Sequence, residues 1–331
     1  MNEIIQSRRK KILITGATGF IGRHLCDHLQ DSGFSVRALV REASSDVLKS
    51  NRNLEQLVGD LLDPDSLAKA CEGIDAIVHL AGLAHVVSPT QEQLHKVNVC
   101  GTELLLAAAV GQKVECFVFM SSSLATTTNS KGVATTAYGR AKLAAERLVM
   151  SQQKVGNMKC VILRSVNVYG PGMRGNIALL ISLVSKRLVF PLPRLQTSFS
   201  LIGVEDLCTA VGLAIISENA CGKIYSLTDG VDYISSDIED AIYRQVGRSL
   251  PSWRTPRLLL YAACLSAEGL RKFLSIFGFR FGLLDSFGMK TYNNLTKDNL
   301  FGNADIKEDV GFEPKTTFYQ SLPRIVEGLD S

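Results

Sequence analysis

The sequence has no uninterrupted apolar run long enough to span a bilayer. The nearest, Leu258 to Leu265, soon meets Glu268, Arg271 and Lys272. Its eight cysteines (26, 71, 100, 116, 160, 208, 221 and 264) form no C-x-x-C pair and no His–Cys cluster, which excludes a zinc module and argues against metal ligation. Several of them fall inside apolar patterns and are expected to be reduced, buried thiols of a cytoplasmic protein. The residues Met1 to Ile5 lack the apolar core of a signal peptide. No basic run extends beyond Arg8-Arg9-Lys10-Lys11, and the net charge is only +4 (36 basic minus 32 acidic residues), so nothing argues for a nucleic-acid partner. There is no internal repeat and no low-complexity segment. What is present, 331 residues that are 46% hydrophobic and 21% charged, suits one large α/β domain with or without a smaller lobe.

The chain is organised around Lys11-Ile-Leu-Ile-Thr-Gly-Ala-Thr-Gly-Phe-Ile-Gly22. Lys11 to Ile14 reads as a short buried strand, and Phe20, Ile21, Leu25 and Leu29 begin an amphipathic helix. Gly16, Gly19 and Gly22 lie between them at G-x-x-G-x-x-G spacing. The first glycine permits a tight turn, the second lets a pyrophosphate approach the backbone, and the third lets the helix lie close on the sheet. The helix start then offers unpaired N–H groups to phosphate oxygens. A glycine triplet alone is weak; between a strand and a helix it reads as a dinucleotide-binding turn.

A βαβ rhythm follows. Ser35 to Val40 is a second strand ending in Arg41-Glu42, an arginine where a 2′-phosphate would sit, which favours NADP; a solubilising surface arginine is the plainer alternative. Val58-Gly59-Asp60 ends a third strand, Asp63-Pro64-Asp65 caps a helix to about Cys71, and Asp75 to Leu80 is a fourth strand closed by Ala81-Gly82. Val97 to Thr102 enters an apolar helix reaching Val110, and Cys116 to Met120 is a central fifth strand that empties into Ser121-Ser122-Ser123. A polar loop, Thr126 to Thr136, precedes a helix opening Ala137-Tyr138-Gly-Arg-Ala-Lys142. The pattern predicts a Rossmann-type, doubly wound parallel sheet with a smaller C-terminal lobe. Residues 10–172, with later returning segments, would bind the dinucleotide, and residues 173–331 would be mainly the substrate lobe.

Tyr138 and Lys142 stand one helical turn apart on one face. An ammonium there would draw the phenol's pKa towards neutrality, making Tyr138 a general acid or base, with a serine from the preceding strand end on the same substrate oxygen. A tyrosine and a lysine at that spacing also occur on ordinary solvated faces; the serines and the glycine turn give the pair its catalytic reading.

Together with Gly59-Asp60, His79-Leu-Ala-Gly82, Asn98-x-x-Gly101-Thr102, Leu163-Arg164 and Asn167-Val-Tyr-Gly-Pro-Gly172, these motifs resemble the extended short-chain dehydrogenase/reductase family, in its nucleotide-sugar epimerase/dehydratase branch. The likeness is greatest to bacterial reductases and epimerases of UDP-N-acetyl-hexosamines in polysaccharide synthesis. The resemblance implies Ser122, Tyr138 and Lys142 as catalytic residues. It implies NADP, with NAD as the alternative, held by Gly16, Thr18, Gly19, Phe20, Ile21, Gly22, Arg41, Asp60, Leu61, Leu80, Ala81, Gly82 and Asn98 together with Tyr138 and Lys142. His85, Ser122, Ser123, Asn167, Asn176 and Arg194 would meet a UDP-linked sugar. The implied reaction is reduction of a UDP-4-keto-6-deoxy-N-acetylhexosamine at C4. A 4-epimerase, a steroid-type dehydrogenase and a non-catalytic NADP-sensing protein are the alternatives.

The chain departs from the family where Leu124-Ala-Thr-Thr127 replaces a Val-Tyr-Gly and where Ser165 replaces a proline. Thr197-Ser-Phe-Ser200 also lacks the arginine that grips the diphosphate, leaving Arg194 as a substitute. Beyond Gly172, Asp206 to Ala214 reads as a helix, Gly222 to Leu227 as a strand, and Ser235-Ser236-Asp237 as the cap of a helix to Val246. The Leu-, Phe- and Arg/Lys-rich segment 256–281 would pack on the lobe or on the partner of a homodimer in preference to a membrane face.

Overall fold

The computed structural model describes residues 9–42, 54–84, 89–127, 134–188, 191–276 and 288–330. In chain order these form β1 (Lys11–Thr15), α1 (Phe20–Asp31), β2 (Ser35–Val40), β3 (Glu55–Val58), α2 (Pro64–Cys71), β4 (Ala76–His79), α3 (Gln91–His95), a π turn (Lys96–Cys100) and α4 (Gly101–Gly111). Next come β5 (Cys116–Ser122), a 3-10 turn (Ser123–Ala125), α5 (Ala137–Val155), β6 (Lys159–Ser165), β7 (Asn167–Tyr169), α6 (Asn176–Ser185), β8 (Ser198–Gly203), α7 (Val204–Ile216) and β9 (Ile224–Leu227). The chain ends with β10 (Asp232–Ile234), α8 (Ser235–Gln245), α9 (Arg257–Ile276), α10 (Met289–Thr296), α11 (Ala304–Val310) and α12 (Phe318–Asp330).

The chain divides into two compact units. The first comprises residues 1–166, 204–227 and 302–315; the second comprises 167–203, 228–301 and 316–331. The break thus falls between Val166 and Asn167, just after β6.

In the first unit a seven-stranded parallel sheet has the order β3-β2-β1-β4-β5-β6-β9. Its middle strands have continuous apolar centres, as a sheet covered on both faces requires: Ile12, Leu13, Ile14, Ile77, Val78, Phe117, Val118, Phe119, Val161 and Ile162 are all fully buried. Each such side chain contributes about 1.5–3 kcal/mol. The order reverses between β1 and β4, the place in a doubly wound sheet where a ligand crosses the strand ends.

Local chemistry sets the helix starts. Asp63 accepts the Asp65 N–H at 3.1 Å with Pro64 in the first turn, as the sequence predicts. Helix α3 starts earlier than its apolar pattern suggests, because Thr90 and Gln93 make a reciprocal capping box. Six of the cysteines are buried; Cys100 is half-buried and Cys221 exposed.

In the second unit a three-stranded sheet runs β10-β8-β7, with β8 parallel to β7 and antiparallel to β10. In the turn before β10, Asp229 Oδ2 accepts the hydroxyls of Tyr169 at 2.9 Å and Tyr233 at 2.6 Å, while its Oδ1 accepts the Val231 N–H. Tyr233 in turn accepts the Phe318 N–H at the start of α12. The expected cap of α8 is corrected here. Ile234 holds that position with no side-chain bond, and the Ser235 hydroxyl is engaged instead with the side chain and carbonyl of Thr197, just before β8. Helix α9 buries Leu260 and Cys264 and packs Tyr261 edge-on against Tyr292 of α10. Its other side leaves Leu258, Leu259, Leu265 and Leu270 exposed. No helix among the described residues is long and apolar enough to cross a membrane.

Candidate active site

The glycine turn lies at the carboxyl end of β1, where the strand order reverses. Gly16 has φ +75°, and a Cβ there would stand 2.8 Å from the Ala81 amide nitrogen, in the turn after β4. Gly22 is corrected in its role: a Cβ on it would lie 2.2 Å from the Gly16 carbonyl oxygen, so it lets α1 close on its own loop, not on the sheet. Gly19 caps α1 in extended conformation without a side-chain bond, and the first turn carries no acidic residue. Thr18 and Gly19 are exposed there, and Phe20 and Ile21 half-buried. This cradle of bare backbone around open N–H groups fits a dinucleotide's pyrophosphate.

On one side of β1, strands β2 and β3 lead into two of the predicted cofactor residues. Arg41 is exposed immediately after β2. Asp60, also exposed, follows β3; its carboxylate accepts the Leu62 N–H at 2.8 Å and its backbone brackets the Ser66 hydroxyl. Leu61 fills the space over Gly101, where a Cβ would meet it at 2.6 Å.

On the other side of β1, the turn Leu80-Ala81-Gly82 is held by side chains that the sequence motifs do not link. Thr15 accepts the Ala81 N–H at 3.2 Å and bonds His79 Nδ1 at 2.7 Å, and His79 Nε2 bonds Thr102 at 3.0 Å. Burial holds the His79 imidazole neutral, its pKa lowered to about 3. Asn98, in the π turn, is 1% exposed; its Oδ1 accepts the Leu83 N–H at 2.7 Å and its amide reaches the Leu83 carbonyl. Asn98 therefore shapes the turn through Leu83 and does not stand open to a ligand. Gly82 is required beside it, since a Cβ would lie 2.9 Å from Asn98 Oδ1 and 3.7 Å from Lys142 Nζ.

Strand β5 continues two residues beyond its apolar run. Ser121 points to helix α5, where it donates to Glu146 at 2.5 Å. Ser122 is half-buried, and its Oγ accepts the Leu124 N–H at 3.2 Å. Ser123 is buried and its carbonyl collects Thr126 and Thr127, which leaves Ser122 as the hydroxyl at the strand's end. Thr136 caps α5 by accepting the Gly139 N–H, and Tyr138 follows in the first turn. Lys142, 4% exposed, donates to the Met120 carbonyl at 2.8 Å and lies 4.5 Å over the Phe119 ring.

The electrostatics correct one expectation. Burial pushes the Tyr138 phenol up to about 12, not towards neutrality. Burial likewise lowers the Lys142 ammonium to about 8, against the field of Glu146, which raises it. Spacing along a helix predicts that the two side chains are neighbours; it says nothing of the water removed from around them.

Among the remaining predicted residues, Leu80 and Ala81 are half-buried. Asn167 opens β7, Asn176 opens α6 behind Gly175 (φ +110°), and Arg194 lies between α6 and β8; all three are exposed in the second unit. His85 lies outside the described residues.

The family model described as "NAD dependent epimerase/dehydratase family" matches residues 12–227. A UDP-glucose 4-epimerase from Vibrio cholerae is 28% identical over 263 residues, covering 75% of this chain and 78% of that protein. A 3 beta-hydroxysteroid dehydrogenase/Delta 5-->4-isomerase from Mycobacterium tuberculosis is also 28% identical, over 342 residues covering 94% and 88%. The solved structure of a Thermus thermophilus UDP-glucose 4-epimerase in complex with NAD superposes with a TM-score of 0.73 at 20% identity, covering 97% of this chain and 99% of that one.

Proposed function

The chain belongs to the NAD-dependent epimerase/dehydratase family, and from that premise we propose that it is an NAD(P)-dependent oxidoreductase acting at C4 of a UDP-linked sugar, most simply as a reductase of a 4-keto-6-deoxy-N-acetylhexosamine. One observation carries the reading. Lys142 is anchored to Met120, two residues before Ser122 on the same strand, with Tyr138 one turn before Lys142 on the helix.

The cofactor supplies or accepts a hydride when bound; Gly16, Gly19 and the start of α1 would hold its pyrophosphate, and Ala81 and Gly82 would lie along it. The protein's own part is to handle the proton. Ser122 orients the substrate oxygen through a hydrogen bond. Tyr138, protonated at neutral pH, donates its phenolic proton to that oxygen as the ketone is reduced. The Lys142 ammonium stabilises the phenolate left behind, an effect that grows because the pair is dry. Arg41 after β2 supports NADP over NAD. Asn167, Asn176 and Arg194 are the proposed contacts to the nucleotide sugar.

A second reading, a hydroxysteroid-type dehydrogenase, is favoured by one observation: α9 exposes four leucines that a sugar nucleotide does not call for. Both readings share the same proton chemistry and differ in substrate. The test is mass spectrometry of the purified protein for carried NAD(H) or NADP(H), followed by incubation with UDP-GlcNAc without added cofactor. Exchangeable NADP and unchanged UDP-GlcNAc, with oxidation of NADPH by the UDP-4-keto-6-deoxy sugar, is the expected result. Tightly held NAD with formation of UDP-GalNAc would make the protein an epimerase. Turnover of a 3β-hydroxysteroid and none of either sugar would overturn the sugar reading.

A further inference from the structure

Glu146 is a buried acid of the first unit, with a side chain 3% exposed, and the proton-transfer reading gives it no part. It stands on the same stripe of α5 as Tyr138 and Lys142, at successive four-residue steps. Arg164 of β6 meets it through two parallel bonds, Nε to Oε1 at 2.9 Å and Nη2 to Oε2 at 2.6 Å. Ser121 of β5 donates to Oε1 at 2.5 Å, and Ser121 and Arg164 are themselves opposite each other in the β5–β6 ladder. One carboxylate therefore joins both strands to the helix at the residue before Ser122. Met120, one position earlier, is bound by Lys142. Two consecutive residues of β5 are thus tied to two consecutive turns of α5.

We propose that Glu146 is a positioning residue of the active site: it registers α5 against the carboxyl ends of β5 and β6, and it serves as the buried counter-charge of Lys142. A purely structural Arg–Glu pair would do the first and not the second. Among the described residues, the charged and titratable groups that face Lys142 are few. Glu146 lies one turn along α5 and Tyr138 one turn back; His79 on β4 is kept neutral by burial; Arg164 on β6 is shared through Glu146. Of these, Glu146 supplies the field that opposes the loss of the lysine's proton in its dry surroundings. Arg164 works against that field, because its guanidinium partly neutralises the same carboxylate.

The inference rests on the reading of Tyr138 and Lys142 as the proton-handling pair, but its test does not need turnover. Lysine labelled with 13C at Cε is incorporated into the full chain, and the Lys142 resonance is identified by its loss in Lys142→Met. Its chemical shift is then followed against pH in the resting protein. Glu146→Gln, which keeps the shape and hydrogen-bonding reach of the side chain, is expected to move the Lys142 midpoint down by about one pH unit or more, as loss of an opposite charge at close range should. Arg164→Gln is expected to move it up, because the carboxylate's field is then unopposed. Glu146→Asp, which keeps the charge at a longer reach, is expected to restore much of the wild-type midpoint. Should Glu146→Gln fail to fold, Arg164→Gln carries the test by its upward shift, with Glu146→Asp as the control that keeps the charge. A midpoint that stays put in Glu146→Gln, or in Arg164→Gln where the former does not fold, overturns the proposal, whatever the substrate is. If the midpoint moves as expected while Tyr138→Phe and Lys142→Met retain turnover, the functional reading fails and the electrostatic role of Glu146 stands.

Discussion

Gly139 faces the carbonyl of Leu124 so closely that a Cβ on it would lie 2.2 Å from the oxygen. The first turn of α5, which carries Tyr138, thereby rests directly on the 3-10 turn whose start is fixed by the Ser122 hydroxyl. Gly139→Ala should push that turn of helix away from the strand end. We expect kcat to fall at least tenfold and stability to drop by about 1–3 kcal/mol, the usual cost of overpacking. Kinetics beside thermal unfolding checks this; unchanged kcat would show that the contact does not set the position of Tyr138.

Tyr138→Phe removes the proposed proton donor and leaves the proposed cofactor cradle intact. The expected outcome is a kcat lower by about 10²–10⁴-fold, the range for loss of a general acid. Affinity for the dinucleotide, followed by fluorescence titration, should change by less than threefold. A large loss of affinity with little loss of kcat would give the phenol a binding role instead.

The buried Lys142 ammonium makes stability depend on pH in a definite direction. Its pKa of about 8 in the folded protein lies below the ordinary lysine value of 10.5. The unfolded chain therefore binds more protons between those values, and stability attributable to this group rises as pH rises through that window. Below pH 8 the folded state carries the full cost of burying the charge. Lys142→Met should abolish activity yet raise Tm by a few degrees at pH 7, with the gain fading towards pH 10. A gain that is the same at both pH values would show that packing and not charge is responsible.

Asp229 is the acceptor for two buried tyrosines in the second unit. Asp229→Asn retains the shape but halves the acceptor capacity, leaving a hydroxyl poorly paired at a cost of about 1–3 kcal/mol. Calorimetry should show a lower Tm for this variant, and dinucleotide affinity should be unchanged. A stability equal to wild type would mean that the tyrosines find other acceptors.

Much of this was legible in the sequence because single residues announced a backbone need. Gly16 adopts a conformation that L side chains rarely take, and the apolar run ending in Ser121-Ser122 marked β5 as central. What was not legible depends on partners distant along the chain. Gly139 looks like an ordinary weak spot in a helix until Leu124 is placed against it. His79 reads as a landmark, but its bridge from Thr15 to Thr102 joins residues 87 positions apart, which only the sheet order β1-β4 brings together. The Ser235 hydroxyl had a local use as a helix cap and a tertiary use on Thr197, and the tertiary one prevails. The Tyr138 pKa failed as an expectation for the same reason: desolvation is a property of everything packed around the ring, not of its spacing from Lys142.

The interleaving of the two units also dictates the order in which they can be made. Strand β9, which covers the outer edge of β6, arrives with residues 224–227, and α11, whose Asp309 binds the Tyr225 hydroxyl of β9, only with residues 304–310. A nascent chain emerging from the ribosome therefore holds most of the seven-stranded sheet, from β1 to β6, long before its last strand and helix exist. During that interval the bare edge of β6 is open to any strand nearby. A protein stalled or cleaved before residue 224 should accumulate as aggregate, however complete its glycine turn and its Ser122, Tyr138 and Lys142.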